Sequence, residues 1–232
     1  MMRLSIAPTA LGLAAAAAAL FMSGISTPAY AERVVNAPSP QRVAKEGTGL
    51  KTAIFAGGCF WGVEGVFSHV KGVKSAVSGF HGGAAGTASY RQIVTGTTSH
   101  AESVMITYDP YVVRYDELLR IFFSVVTDPT QLNRQGPDVG AHYRSALVPM
   151  NAEQRAVAEA YLVQLETSGL WNKPIVTQIE KHRKFYPAEE YHQDYMEKNP
   201  GSGYIQRFDM PKVQALKSMF PRDYRVDFLR DG

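Results

Sequence analysis

The chain has 232 residues and a single cysteine, Cys59. One cysteine excludes an internal disulfide framework and any cysteine-rich zinc site. The six histidines stand in no H-E-x-x-H or comparable ligand spacing, so the sequence offers no metal site. The formal charge is only +3 and no basic stripe is present, which argues against nucleic acid as a partner. There is no internal repeat. The glycine-rich stretch His81–Ser89 lacks the lysine and the spacing of a phosphate loop. The one long apolar run, Leu11 to Met22, is short for a membrane span. It follows Arg3 and precedes Ala29-Tyr30-Ala31, an A-x-A site. The expectation is therefore an export signal over residues 1–31, no stable membrane span, and a protein of a bacterial periplasm.

The remaining residues fit one domain of ordinary size. Residues 32–49 contain Pro38, Ser39, Pro40 and Gly47 and read as a linker or irregular arm. A single domain is expected over 50–232. Apolar Ile54 and Phe55 precede Gly57-Gly58, and Val63, Val66, Phe67 and Val70 follow at helical spacing. Strand, turn and helix are thus expected, with Cys59 in the helix's first turn. Free N–H groups and the helix dipole there would favour a thiolate.

Val73–Phe80 reads as a strand with Val73, Ser75, Val77 and Gly79 on one face. Tyr90–Thr98 reads as irregular or partly paired. Ser103–Tyr108 alternates cleanly and is a strand. Tyr115, Leu118, Leu119, Phe122, Val125 and Val126 form a helical stripe ended by Asp128-Pro129. Gln131–His142 is a long polar loop, Arg144–Val148 a strand, Asn151–Leu165 a capped helix and Ile175–Glu180 another strand. The order β-α-β-β-α-β matches the ferredoxin-like split β-α-β plan. The expected fold is an α+β two-layer sandwich, an antiparallel sheet with helices on one face. A coil-rich C-terminal segment follows from Glu180, with short helices near Ala188–Lys198 and Pro211–Met219.

An exported protein with one cysteine carries either a reactive thiol or a thiol that pairs with another molecule. A buried structural cysteine is the alternative, but Gly-Gly before it and Phe60-Trp61 after it are unusual for a plain core position. Glu102, Tyr90, Asp138 and Tyr143 all lie at element boundaries, where a two-layer fold can gather them above one end of the sheet. None of the histidines stands in a recognisable pairing with Cys59.

These residues carry a resemblance. Gly58-Cys59-Phe60-Trp61-Gly62-Val63-Glu64 resembles the signature of the A-class peptide methionine sulfoxide reductases. The resemblance continues through Ser99-His100-Ala101-Glu102 and Tyr108-Asp109-Pro110. It extends to Asp128-Pro129-Thr130-Gln131, Asn133-Arg134-Gln135-Gly136, Asp138-Val139-Gly140, Tyr143-Arg144-Ser145-Ala146 and Ala188-Glu189-Glu190-Tyr191-His192-Gln193. It implies that Cys59 attacks the sulfur of methionine S-sulfoxide while Glu102 protonates the oxygen. Tyr90 and Tyr143 would hydrogen-bond that oxygen, Asp138 would orient the site, and Phe60 and Trp61 would wall the methyl group. The products would be methionine and a Cys59 sulfenic acid.

Three departures stand out: His142 where the family often has glutamine, an altered loop Gly83–Ser89, and Ile205 where many relatives carry a resolving cysteine. With no second thiol, the sulfenic acid needs an external reductant, thioredoxin-like, glutaredoxin-like or a small thiol. No bound cofactor and a monomer are expected. Two other readings stay open. One is a cysteine acyl-transfer enzyme using one of the histidines. The other is a module that binds oxidised methionine without turning it over.

Overall fold

The computed structural model describes residues 34–230. The expected export signal, residues 1–31, lies outside them. In chain order the elements are β1 (Lys51–Gly57), α1 (Phe60–Ser68), β2 (Val73–His81), α2 (Tyr90–Ile93), β3 (Ala101–Tyr108) and α3 (Tyr115–Ile121). Then come β4 (Arg134–Gln135), β5 (Asp138–Val139), β6 (Ser145–Val148), α4 (Ala152–Thr167), β7 (Gln178–Ile179), β8 (Tyr186–Pro187), α5 (Tyr195–Lys198) and α6 (Met210–Met219).

Six strands form one sheet in the order β7-β6-β1-β3-β2-β8. The inner four, β6-β1-β3-β2, pair antiparallel with one another, which is the split β-α-β arrangement. The sheet as a whole is mixed rather than purely antiparallel, because β7 joins β6 in parallel. Strands β4 and β5 make a separate small hairpin inside the expected Gln131–His142 loop.

One face of the sheet holds the core. Phe55 of β1 stacks on Phe67 of α1 with centroids 5.0 Å apart and on Tyr115 of α3 at 6.0 Å. Val63, Val66, Phe67 and Val70 are all fully buried, as their helical spacing predicts. Val104, Ile106 and Tyr108 of β3 face the same core. The α4 helix is capped by Asn151, whose Oδ1 accepts the Gln154 N–H at 2.9 Å.

The face expected for β2 is only half right. A register shift between Val73 and Ser75 moves the strand by one residue, and beyond it Ala76, Ser78 and Phe80 turn inward. A bulge inverts an alternation that sequence alone reads straight through. The α3 stripe also widens locally, continuing as a π-turn over Phe122–Val126.

Residues 34–49 have no regular structure but are bound to the domain. Val35, Ala37 and Ala44 are buried. Glu46 accepts the Tyr115 N–H at 2.9 Å and the Tyr108 hydroxyl. The arm read as a linker therefore packs along α3, its backbone satisfied by Ser124 and Asp116. Among the described residues no helix is long and apolar enough to cross a membrane.

Candidate active site

Cys59 sits where β1 hands over to α1, as the N-cap of the helix. Gly58 before it has φ +97°, a conformation a side chain resists, so the turn that presents the thiol needs glycine there. Glu102 is the second residue of β3, beside Phe80 of β2, and is 1% exposed. Its Oε2 accepts the Phe60 N–H at 3.0 Å, so a first-turn donor of α1 is taken by the carboxyl and not by the thiol.

That exchange corrects the expectation of a ready thiolate. Burial raises the Cys59 thiol well above its ordinary range, and the carboxyls of Glu102, Asp209 and Asp138 add to the rise. The Trp61 N–H pulls the other way and loses. The resting thiol is protonated: in a nine-residue helix whose end is buried among carboxyls, desolvation outweighs the dipole.

Burial likewise lifts Glu102 to about 8, with Asp138 and Asp209 reinforcing it against the Phe60 hydrogen bond. At neutral pH Glu102 is a neutral carboxylic acid, able to donate a proton. Tyr90 is raised to about 12 by burial, Glu102 and Cys59, and Tyr143 is raised further by the same causes. Both hydroxyls stay protonated and feel the same two groups. The site thus offers three O–H donors beside one thiol.

Asp138, on β5, accepts the Tyr204 hydroxyl. Burial raises its carboxyl, opposed by that hydrogen bond, by Lys212 and by His142. Phe60 is buried and packs on Tyr90 and His192, with centroids 6.4 and 5.1 Å away. Trp61 is half-buried and is the accessible part of the apolar wall. The structure therefore gathers Cys59, Phe60, Trp61, Tyr90, Glu102, Asp138 and Tyr143 at one end of the sheet. Tyr90 differs locally from expectation: it starts the short helix α2, and its N–H is tied to Glu189 Oε1 at 3.0 Å.

Three neighbours escaped sequence reasoning. Tyr195 stacks on Trp61 with centroids 3.7 Å apart and planes 8° from parallel. Tyr204 meets Trp61 edge-on at 6.0 Å. His192 accepts the Trp61 indole N–H on Nδ1 at 3.2 Å, and burial lowers its pKa. All three come from the C-terminal segment, His192 and Tyr195 from its expected short helix near Ala188–Lys198 and Tyr204 from the part read as coil. Its unusual density of aromatics, Tyr191, Tyr195, Tyr204 and Phe208, was the available signal. Ile205 is fully buried in a π-turn over Ile205–Asp209. Among the described residues no group of His, Cys, Asp and Glu side chains is arranged to hold a metal.

Comparison with known proteins points one way. The family model described as peptide methionine sulfoxide reductase matches residues 51–224. A peptide methionine sulfoxide reductase MsrA 2 of Mesorhizobium japonicum is 55% identical over 180 residues, 78% of this chain and 92% of that protein. Among solved structures, methionine sulfoxide reductase A of Corynebacterium diphtheriae aligns with a TM-score of 0.56 and 36% identity, over 66% of this chain and 76% of that one. The reduced form of Mxr1 from Saccharomyces cerevisiae aligns with a TM-score of 0.57 and 31% identity, over 70% and 92%.

Proposed function

From the premise that the chain belongs to the peptide methionine sulfoxide reductase family, we propose how its own residues carry out that reduction. The enzyme returns methionine sulfoxide to methionine; Cys59 is the nucleophile, and the S epimer at sulfur is its substrate. The observation that carries this reading is a buried thiol beside a buried carboxyl that is neutral at pH 7.

The sulfoxide methyl lies against Trp61, backed by Phe60. The sulfoxide oxygen meets the hydroxyls of Tyr90 and Tyr143 and the carboxyl of Glu102, preorganised donors for the charge that grows there. As the Cys59 sulfur bonds to the sulfoxide sulfur, Glu102 gives the oxygen its proton. The thiol's own proton then restores Glu102. The protonated oxygen passes to the cysteine sulfur, the sulfur–sulfur bond breaks, and the thioether leaves. Thiol plus sulfoxide becomes sulfenic acid plus thioether, so atoms and electrons balance. Asp138, fixed by Tyr204, orients this face of the pocket and places no atom on the substrate.

A thiol from outside the chain, thioredoxin-like, glutaredoxin-like or small, reduces the sulfenic acid, since Cys59 has no second cysteine to pair with. On the same reading the protein is an exported, periplasmic monomer that repairs oxidised methionine. The apolar run Leu11–Met22 and Ala29-Tyr30-Ala31 support the export. Neither an acyl-transfer enzyme nor a binding module accounts for an acid kept neutral beside the thiol and facing two tyrosine hydroxyls.

The test is a pH profile. Glu102 must hold its proton to act, and its pKa is raised to about 8. Turnover is expected to be flat through neutral pH and to fall about tenfold per unit above pH 8. A rate that rises steadily from pH 7 to 9.5 would mean that thiolate formation alone governs the reaction and that Glu102 is not its acid.

A further inference from the structure

Arg144 follows Tyr143 directly, and its side chain makes a three-way clamp. It is only 13% exposed. Its Nε donates to Glu180 Oε1 at 2.6 Å, Nη1 to the Ala141 carbonyl at 3.0 Å, and Nη2 to the Ser99 carbonyl at 3.2 Å. These partners lie on three separate stretches of chain. Ala141 opens the 3₁₀ turn that ends at Tyr143. Ser99 precedes β3 and stands three residues before Glu102. Glu180 follows β7, and its N–H is fixed to the Leu147 carbonyl of β6 at 2.9 Å.

The surroundings are built for this reach. Gly82, just past β2, has φ +105°, and a Cβ there would lie 2.9 Å from both Arg144 Nη2 and the Ser99 carbonyl. His81 Nδ1 stands 3.4 Å from the other Glu180 oxygen. Burial alone would lift the Glu180 carboxyl, but His81 and Arg144 outweigh it and hold it at about 2. The carboxylate is therefore ionised throughout the working range.

We propose that Arg144, held by Glu180, is a positioning residue for the reduction: it ties the Ala141–Tyr143 turn to the segment leading into Glu102, and so sets where the Tyr143 hydroxyl meets the oxygen that Glu102 protonates. This rests on the reading in which Tyr143 and Glu102 serve the same sulfoxide oxygen. Only a planar guanidinium offers donors in three fixed directions at once; an ammonium keeps the charge but not the fork. A clamp that served folding alone would need the charge opposite Glu180 and little more.

The experiment is a double-mutant cycle of Arg144→Lys with Tyr143→Phe, followed by steady-state reduction of a methionine S-sulfoxide peptide with dithiothreitol, alongside melting curves. Arg144→Lys is expected to lower kcat about tenfold, since a slight misplacement of a positioned group is costly. Its melting temperature stays within about 4 °C of the parent. In the Tyr143→Phe background the same change costs less than about twofold, because the group it positions is gone. The full tenfold loss in both backgrounds, or an unchanged kcat for Arg144→Lys alone, overturns the positioning role. If Arg144→Lys does not fold, Glu180→Gln replaces it in the same cycle with the same criteria. A Tyr143→Phe enzyme with native kcat removes the hydroxyl's role and the clamp's with it; a damaged Tyr143→Phe enzyme with additive losses removes the clamp's alone.

Discussion

Cys59→Ser is expected to have no measurable sulfoxide reductase activity, at any pH and with any thiol reductant. The reaction ends with oxygen on the cysteine sulfur, and sulfur is the atom whose oxidation balances the reduction of substrate. A serine hydroxyl cannot take up that oxygen, and it is the weaker nucleophile. The change is nearly isosteric at a position 9% exposed, so the folded domain should persist and the loss be purely chemical. Substrate binding should persist too, because the wall of Trp61 and the O–H donors of Tyr90, Tyr143 and Glu102 remain. Binding without turnover is the expected state of this variant, measured by product analysis and by titration with a sulfoxide peptide. Any turnover above background would remove Cys59 from the centre of the mechanism.

Glu102→Gln is expected to lower kcat by about 10²–10⁴-fold, the usual worth of a positioned general acid. The amide has the same shape, its oxygen can still accept the Phe60 N–H, and its NH₂ can still hydrogen-bond the sulfoxide. What it lacks is a proton to give. The effect should therefore fall on kcat, with KM little changed, and the decline above pH 8 should vanish with the carboxyl that causes it. A kcat within about threefold of the parent would leave protonation to another group, Tyr90 or Tyr143, at a value far above the carboxyl's.

The parts of this site that the sequence disclosed are those set by local rules. Gly57-Gly58 before Cys59 dictates a sharp strand-to-helix turn, and the apolar spacing of Val63, Val66, Phe67 and Val70 fixes which side of α1 enters the core. Val104, Ile106 and Tyr108 define β3 by simple alternation. Glu102, Tyr90, Tyr143 and Asp138 were legible as candidates through the family resemblance, since position alone equally allows a solvated edge residue at Glu102, half-buried packing at Tyr90 and Tyr143 and a turn former at Asp138.

What stayed hidden depends on contacts distant in sequence. The bulge after Val73 shifts the inward face of β2 and is set by its pairing with β3, not by its own residues. The strand β8, two residues long, exists only because β2 offers an edge. The aromatic shell of Tyr195, Tyr204 and His192 lies 131 to 143 positions beyond Trp61 in a polar stretch that gives no periodic signal. The state of the thiol was misread for the same reason. A helix N-terminus favours an anion, but the answer turned on burial and on the carboxyls of Glu102, Asp209 and Asp138, which only the folded chain brings near.

The central claim is that one buried thiol takes the oxygen and that no second thiol in the chain answers it. A single-turnover experiment without reductant tests it most directly. The protein is mixed with S- and R-methionine sulfoxide peptides separately, and methionine and the state of Cys59 are followed together by trapping and mass. The account predicts one methionine per chain from the S epimer, none from the R epimer, and a matching loss of free thiol to sulfenic acid. No methionine with the thiol intact, or methionine formed while Cys59 remains reduced, would contradict it.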